Sequence, residues 1–228
     1  VSDVTGSVVI DGASQPGYAG VPLVRLNGAL AGAVDGLAVS ATSNEVRCLL
    51  ITRFQASGIQ MLGRYNRISG CVIVSNSQSG IYLYGRHCVI GGTNAADRNL
   101  LSGNGQNGLY LGPDAYETLI QGNYIGTDAT GLSACSNKWA GISITSSSNV
   151  VGGSGSGARN IISGNVDAGV PRRMLAEGTC HGAHGAEQCA KLSFSYIATT
   201  GRAKATARCS EPVSGLTTAS QSESRAAQ

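Results

Sequence analysis

The stretch Gly80-Ile81-Tyr82-Leu83 decides the fold, because the chain keeps returning to it. It reads Gly36-Leu37-Ala38-Val39 and Gly58-Ile59-Gln60-Met61 upstream, then Gly108-Leu109-Tyr110-Leu111 and Gly141-Ile142-Ser143-Ile144 downstream, with Gly169-Val170 as a sixth start. The leading glycines lie 22, 22, 28, 33 and 28 residues apart. A period in the twenties with variable insertions is the signature of a solenoid, in which each repeat is one coil stacked on the next.

Each coil carries further apolar runs behind the glycine motif. They include Val46-Arg47-Cys48-Leu49-Leu50-Ile51, Ile68-Ser69-Gly70-Cys71-Val72-Ile73 and Ile120-Gln121-Gly122-Asn123-Tyr124-Ile125. The added length of the long coils falls in turns such as 93–97 and 154–158, which a solenoid tolerates. Alternation within the motif points Ile81 and Leu83 inward and Tyr82 and Tyr84 outward. Leu37, Ile59, Ile81, Leu109 and Ile142 then form one internal ladder, which only neighbouring coils can bury. Asn104, Asn123 and Asn165 read as structural turn residues that tolerate left-handed backbone and hydrogen-bond along the stack.

Composition agrees with short strands and tight turns: 33 glycines in 228 residues, and 13% charged residues. No apolar stretch approaches the roughly 18 residues of a membrane span. No signal peptide is visible, so Val1 reads as the start of a mature form or a fragment. The net charge of +3 comes entirely from residues 171–228, since residues 1–170 hold nine basic and nine acidic side chains. That is too weak to suggest a nucleic-acid partner. Seven cysteines with no CxxC pair give neither a zinc signature nor a disulfide framework. Cys48, Cys71 and Cys88 lie in strand-like runs and read as small buried residues.

The phrases Ile10-Asp11-Gly12-Ala13-Ser14-Gln15-Pro16-Gly17-Tyr18, Gly122-Asn123-Tyr124-Ile125-Gly126-Thr127-Asp128-Ala129-Thr130-Gly131 and Gly157-Ala158-Arg159-Asn160-Ile161-Ile162-Ser163-Gly164-Asn165 resemble bacterial right-handed parallel β-helix repeat proteins of the pectin-lyase-like superfamily. The resemblance covers roughly residues 1–170. It implies an all-β, right-handed three-sheet parallel β-helix of about six coils, secreted or on the cell surface, that binds or acts on polysaccharide. Many members have no demonstrated activity, so the likeness does not by itself assign one. A monomer is expected. The repeat stops at Pro171, and residues 171–228 read as an atypical tail: a cap, a disordered extension or a non-native segment. His181 and His184 beside Cys180 match a metal site only superficially.

In the pectin-lyase-like superfamily the usual substrate groove runs along the first sheet. The glycine register puts Ala38, Gln60, Tyr82, Tyr110 and Ser143 in one outward column there. Ser40, Leu62, Tyr84, Gly112 and Thr145 follow, then Thr42, Arg64, Arg86, Asp114 and Ser147. Tyr82, Tyr84 and Tyr110 offer aromatic faces for sugar rings. Arg64 and Arg86 offer two-point recognition of uronate carboxylates. Gln60 completes the candidate binding set. Alternatively, outward tyrosines simply suit a sheet surface.

Support for catalysis is thinner. Asp114, Glu117 and Arg86 are the weak candidates, and no compact acidic pair of the kind glycoside hydrolysis uses stands on the strands. Asp97 and Asp128 lie in other turns without an assured partner. A lyase or a hydrolase would be the enzyme class. No cofactor or metal is expected; calcium would require an acidic cluster that the strands lack. Gly153-Ser154-Gly155-Ser156-Gly157 has the spacing of a nucleophile elbow by letter but reads as a turn. The rival reading is a non-catalytic structural or adhesive repeat. A surface-binding solenoid would need a regular Thr array, which these mixed columns do not provide.

Overall fold

A computed structural model describes residues 7–167 and 169–170. The expectations for the tail beyond Val170, including the cysteine–histidine cluster, lie outside the described residues. In chain order the strands are β1 (Val9–Asp11), β2 (Val24–Asn27), β3 (Leu37–Val39), β4 (Glu45–Arg47), β5 (Leu49–Thr52), β6 (Ile59–Met61), β7 (Arg67–Ser69), β8 (Val72–Val74), β9 (Ile81–Leu83), β10 (Val89–Gly91), β11 (Leu100–Ser102), β12 (Leu109–Leu111), β13 (Leu119–Gln121), β14 (Tyr124–Ile125), β15 (Ile142–Ile144), β16 (Val150–Val151) and β17 (Ile161–Ile162). They form three all-parallel sheets: a first sheet β3-β6-β9-β12-β15, a second β1-β4-β7-β10-β13-β16 and a third β2-β5-β8-β11-β14-β17. This is the stacked solenoid expected from the repeat, and it has the three parallel sheets that the resemblance implies. No helix among the described residues is long and apolar enough to cross a membrane.

The glycine register is the register of the first sheet. Leu37 pairs with Ile59, Ile59 with Ile81, Ile81 with Leu109, and Leu109 with Ile142. Gly169 continues the series, since the Ile142 N–H donates to its carbonyl at 2.8 Å. Matching inward columns run up the second sheet (Val46, Ile68, Ile90, Ile120, Val151) and the third (Ile51, Ile73, Leu101, Ile125). These side chains are 0–3% exposed. Each fully buried Ile or Leu contributes roughly 1.5–3 kcal/mol, and it does so only when a coil above and a coil below close over it.

Glycine leads each first-sheet strand because of close approach. A Cβ on Gly80 would meet the Gly108 carbonyl at 2.6 Å and Asn104 Nδ2 at 2.9 Å; one on Gly108 would meet Ile125 Cγ2 at 2.5 Å and Asn137 Nδ2 at 2.9 Å. The motif therefore marks where the strand passes over a column of asparagines.

Those asparagines organise the corners. In one column the Phe54, Asn76 and Asn104 N–H groups donate to the side-chain oxygens of Asn76, Asn104 and Asn137, and Asn137 Nδ2 donates to Asn165 Oδ1. A second column links Cys71, Asn99, Asn123 and Asn160 in the same way. A third begins with Val8, Asn44 and Asn66. In the first two columns the amide nitrogens also reach back to a carbonyl of the preceding coil, as Asn104 does to Ile73 and Asn123 to Ile90. A buried amide with all its polar atoms engaged adds rigidity; a half-satisfied one would be costly.

One expectation needs correcting. Asn104, Asn123 and Asn165 are structural, but they are not the left-handed residues. The residues before them are: Gly103, Gly122 and Gly164 have φ of 68, 70 and 71°. At these three corners a left-handed glycine is followed by the column Asn. At the corner between the first and second sheets the left-handed position is filled by Ser43, Tyr65, His87, Glu117 and Ser148, with φ of 54–61°. Such residues persist only where the surroundings hold them, here the hydrogen bonds of the stack.

Candidate functional site

The outer face of the first sheet carries the expected columns. Gln60 pairs with Tyr82, Tyr82 with Tyr110 and Tyr110 with Ser143. Tyr82, Tyr84 and Tyr110 are half-buried and touch one another. The Tyr82 and Tyr110 centroids are 4.9 Å apart with an interplanar angle of 19°. Tyr84 tilts against both, at 5.1 and 6.3 Å. Rings lying side by side and flat on a sheet could not come that close, so Tyr82 and Tyr110 overlap face to face. This corrects the expectation of open aromatic faces. One face of each ring is spent on its neighbour, and the cluster presents edges and hydroxyls.

The hydroxyls converge. Tyr82 and Tyr84 Oη are 3.1 Å apart, and the Tyr84 phenol is held above the ordinary tyrosine range, chiefly by that hydrogen bond and then by burial. Tyr84 reaches this position because the next coil has Gly112 beside it, where a Cβ would stand 2.6 Å from the Tyr84 ring.

The arginine column differs from its expected composition. The Ser43 N–H donates to the Arg64 carbonyl, Tyr65 to Arg86, and His87 to Tyr116. Tyr116, rather than Asp114, therefore follows Arg86. Two extra residues, Pro113 and Asp114, bulge out after Gly112 and shift the register of the following turn. The Arg86 guanidinium lies 4.4 Å over the Tyr116 ring. Stacking on a ring leaves its in-plane N–H groups free to donate outward. Arg64 is exposed. Neither Arg64 nor Arg86 has an acidic partner among the described residues. The second sheet differs: Arg47 pairs with Asp11 at 2.6 Å, and Arg67 with Asp97 at 3.2 Å and Glu45 at 3.7 Å.

The catalytic candidates disperse. Glu117 lies at the corner with Oε2 3.0 Å from His87 Nδ1. Asp114 is exposed in the bulge, near enough to Tyr84 to act on its phenol electrostatically. Asp97 has the Arg67 partner that sequence reading did not assign to it. Asp128 is a turn residue: its Oδ1 accepts from the Thr130 N–H and hydroxyl and from the Leu132 and Ser133 N–H groups. Ser154 and Ser156 are exposed in a turn. Cys48, Cys71 and Cys88 are free and buried; burial pushes the Cys71 thiol up to about 12. Among the described residues no three His, Cys, Asp or Glu side chains gather into a group able to hold a metal ion.

Two members of this surface escaped sequence reading. Tyr116 was hidden by the bulge. His87 was not singled out in the sequence, yet its ring stacks on Tyr65 at 4.7 Å and 5°. The available signal was the corner rule: Tyr65, His87 and Glu117 each occupy the left-handed position of successive coils. Comparison of the chain with known protein families, curated proteins and solved structures returns no match.

Proposed function

We propose that the chain is a pectin-lyase-like β-helix, secreted or at the cell surface, whose first sheet binds an acidic polysaccharide. The supporting observation is the pair Arg64 and Arg86, on adjacent coils, without acidic partners, beside the hydroxyl cluster of Tyr82, Tyr84 and Tyr110. Coils repeat at roughly the 4.8 Å of hydrogen-bonded strands, so the two arginines follow one another along the stack, with Arg86 held over the Tyr116 ring. Carboxylates of a uronic-acid chain are matched by such forks. The phenol edges and Gln60 supply neutral donors and acceptors for sugar hydroxyls. In this reading the tyrosines hydrogen-bond the glycan from their edges. Among the described residues no carboxylate pair stands on the outer face of the first sheet, so binding alone is proposed.

Titration of pectate, alginate and a neutral glucan against the wild type and a Tyr82→Ala/Tyr110→Ala variant tests it. Binding of the uronates by the wild type, weakened in the variant, is expected. Equal behaviour of the two proteins toward every glycan would end the proposal. The second reading, a structural repeat, is favoured by the mutual stacking of Tyr82 on Tyr110 and of Arg86 on Tyr116, which ties coils together without any ligand. It predicts no glycan affinity and a marked loss of stability in the same variant.

A further inference from the structure

We infer that the corner flanking the arginines is a protonation-dependent anion site, with His87 as the group that tunes it; this rests on the acidic-glycan reading above. His87 follows Arg86 directly and is held from two sides. Its ring lies parallel to Tyr65 in the coil before it, 4.7 Å away. Its Nδ1 is 3.0 Å from Glu117 Oε2 in the coil after it. A surface imidazole seldom has both its plane and one nitrogen fixed. Here the backbone stack enforces both, because Tyr65, His87 and Glu117 share one left-handed corner column. Nε2 has no partner among the described residues and is the nitrogen left to meet a ligand. The His87 side chain is 38% exposed.

The charges around it are few. Arg64 and Arg86 lie in the adjacent column, Glu117 is bonded to it, and Asp114 stands in the bulge beside Tyr84. The phenols of Tyr65 and Tyr116 complete its surroundings. Across the corner, Arg67 and Glu45 are already engaged with each other and with Asp97 and Arg47. With His87 neutral, the corner's two arginines are offset by Glu117 and Asp114. With His87 protonated, the balance becomes positive and Nε2 turns into a charged donor beside the guanidinium of Arg86. An imidazole changes charge between about pH 5 and 8, a range in which uronate carboxylates stay ionised. The site therefore grips a carboxylate-bearing glycan more tightly as the medium acidifies, and a neutral glycan equally at both ends of the range.

Isothermal titration of the full chain with trigalacturonate and with a neutral glucan tetrasaccharide, at pH 5 and pH 8 and fixed ionic strength, tests this. Wild type should bind trigalacturonate roughly fivefold tighter at pH 5, the effect of one added charge within several Å in a high-dielectric setting. His87→Asn, chosen because Asn tolerates left-handed backbone, should lose the pH response and bind with one affinity at pH 5 and pH 8. Glu117→Gln should bind more tightly than wild type at pH 8. Thermal melts establish that both variants are folded. Equal wild-type affinity at the two pH values, or a pH response retained in His87→Asn, overturns the switch and leaves the glycan site standing. Absence of trigalacturonate binding at both values removes the glycan site and the switch together.

Discussion

Replacing Asn104 by Ala should be among the most damaging single changes in this fold, and the loss can be worked from the contacts. Asn104 Oδ1 accepts from the Asn76 N–H at 3.1 Å and from Asn76 Nδ2 at 3.2 Å. Its Nδ2 donates to the Ile73 carbonyl at 3.1 Å and to Asn137 Oδ1 at 3.0 Å. The side chain is fully buried. Truncation leaves the Asn76 N–H without its partner, at about 1–3 kcal/mol, and forfeits three more bonds with a net value of about 0.5–1.5 kcal/mol each. A total of about 2.5–7.5 kcal/mol is expected, which reaches the range of broken buried networks. Urea unfolding followed by circular dichroism measures it, with an unchanged slope showing that the same surface is exposed. Asn94 is exposed and bonded only to Asp97, so Asn94→Ala serves as control and should cost under about 0.5 kcal/mol. If Asn104→Ala loses no more than Asn94→Ala, the claim that the amide columns hold the stack is wrong.

Other consequences are equally open to measurement. Gly112→Ala should cost about 1–3 kcal/mol by overpacking against Tyr84, and almost nothing in a Tyr84→Ala background; additive costs in that double-mutant cycle would contradict the contact. The Arg47 guanidinium holds the Asp11 carboxyl below the usual carboxylate range, so the folded form is the one that binds the proton less readily. The melting-temperature advantage of wild type over Asp11→Asn should therefore be present above the ordinary Asp range near pH 4 and fade as pH falls through and below it; a pH-independent gap would refute the pairing. Cys71, 0% exposed with its thiol pushed up to about 12, should resist iodoacetamide in native buffer and react in denaturant, and peptide mass mapping would reveal native labelling if that is wrong.

Most of the architecture was legible because one residue type recurs under one constraint. Gly36, Gly58, Gly80, Gly108 and Gly141 each sit where a Cβ would strike the corner Asn column, the neighbouring coil or both, so glycine spacing reports strand register directly. The register in turn fixed which side chains point out. It could not locate the Pro113–Asp114 bulge, because spacing between Gly108 and Gly141 counts added residues without saying which turn holds them. That is why Asp114 was expected where Tyr116 stands. Nor could periodicity show how outward rings orient. Tyr82 and Tyr110 were correctly placed side by side, but their torsions settle on each other, an outcome of side-chain packing on a 4.8 Å repeat. The asparagines were read as turn residues from type alone; their true position, one step after the left-handed residue, follows from their need to reach both coils at once.

In the proposed function Arg64 and Arg86 form the anion-reading edge of a glycan surface. Titration of trigalacturonate against wild type and Arg64→Gln/Arg86→Gln tests this most directly. The double variant should lose at least about tenfold in affinity, 1.4 kcal/mol for two charge-assisted contacts at a partly screened surface, and the wild-type affinity should fall as salt is raised. Undiminished affinity in the double variant would contradict the claim.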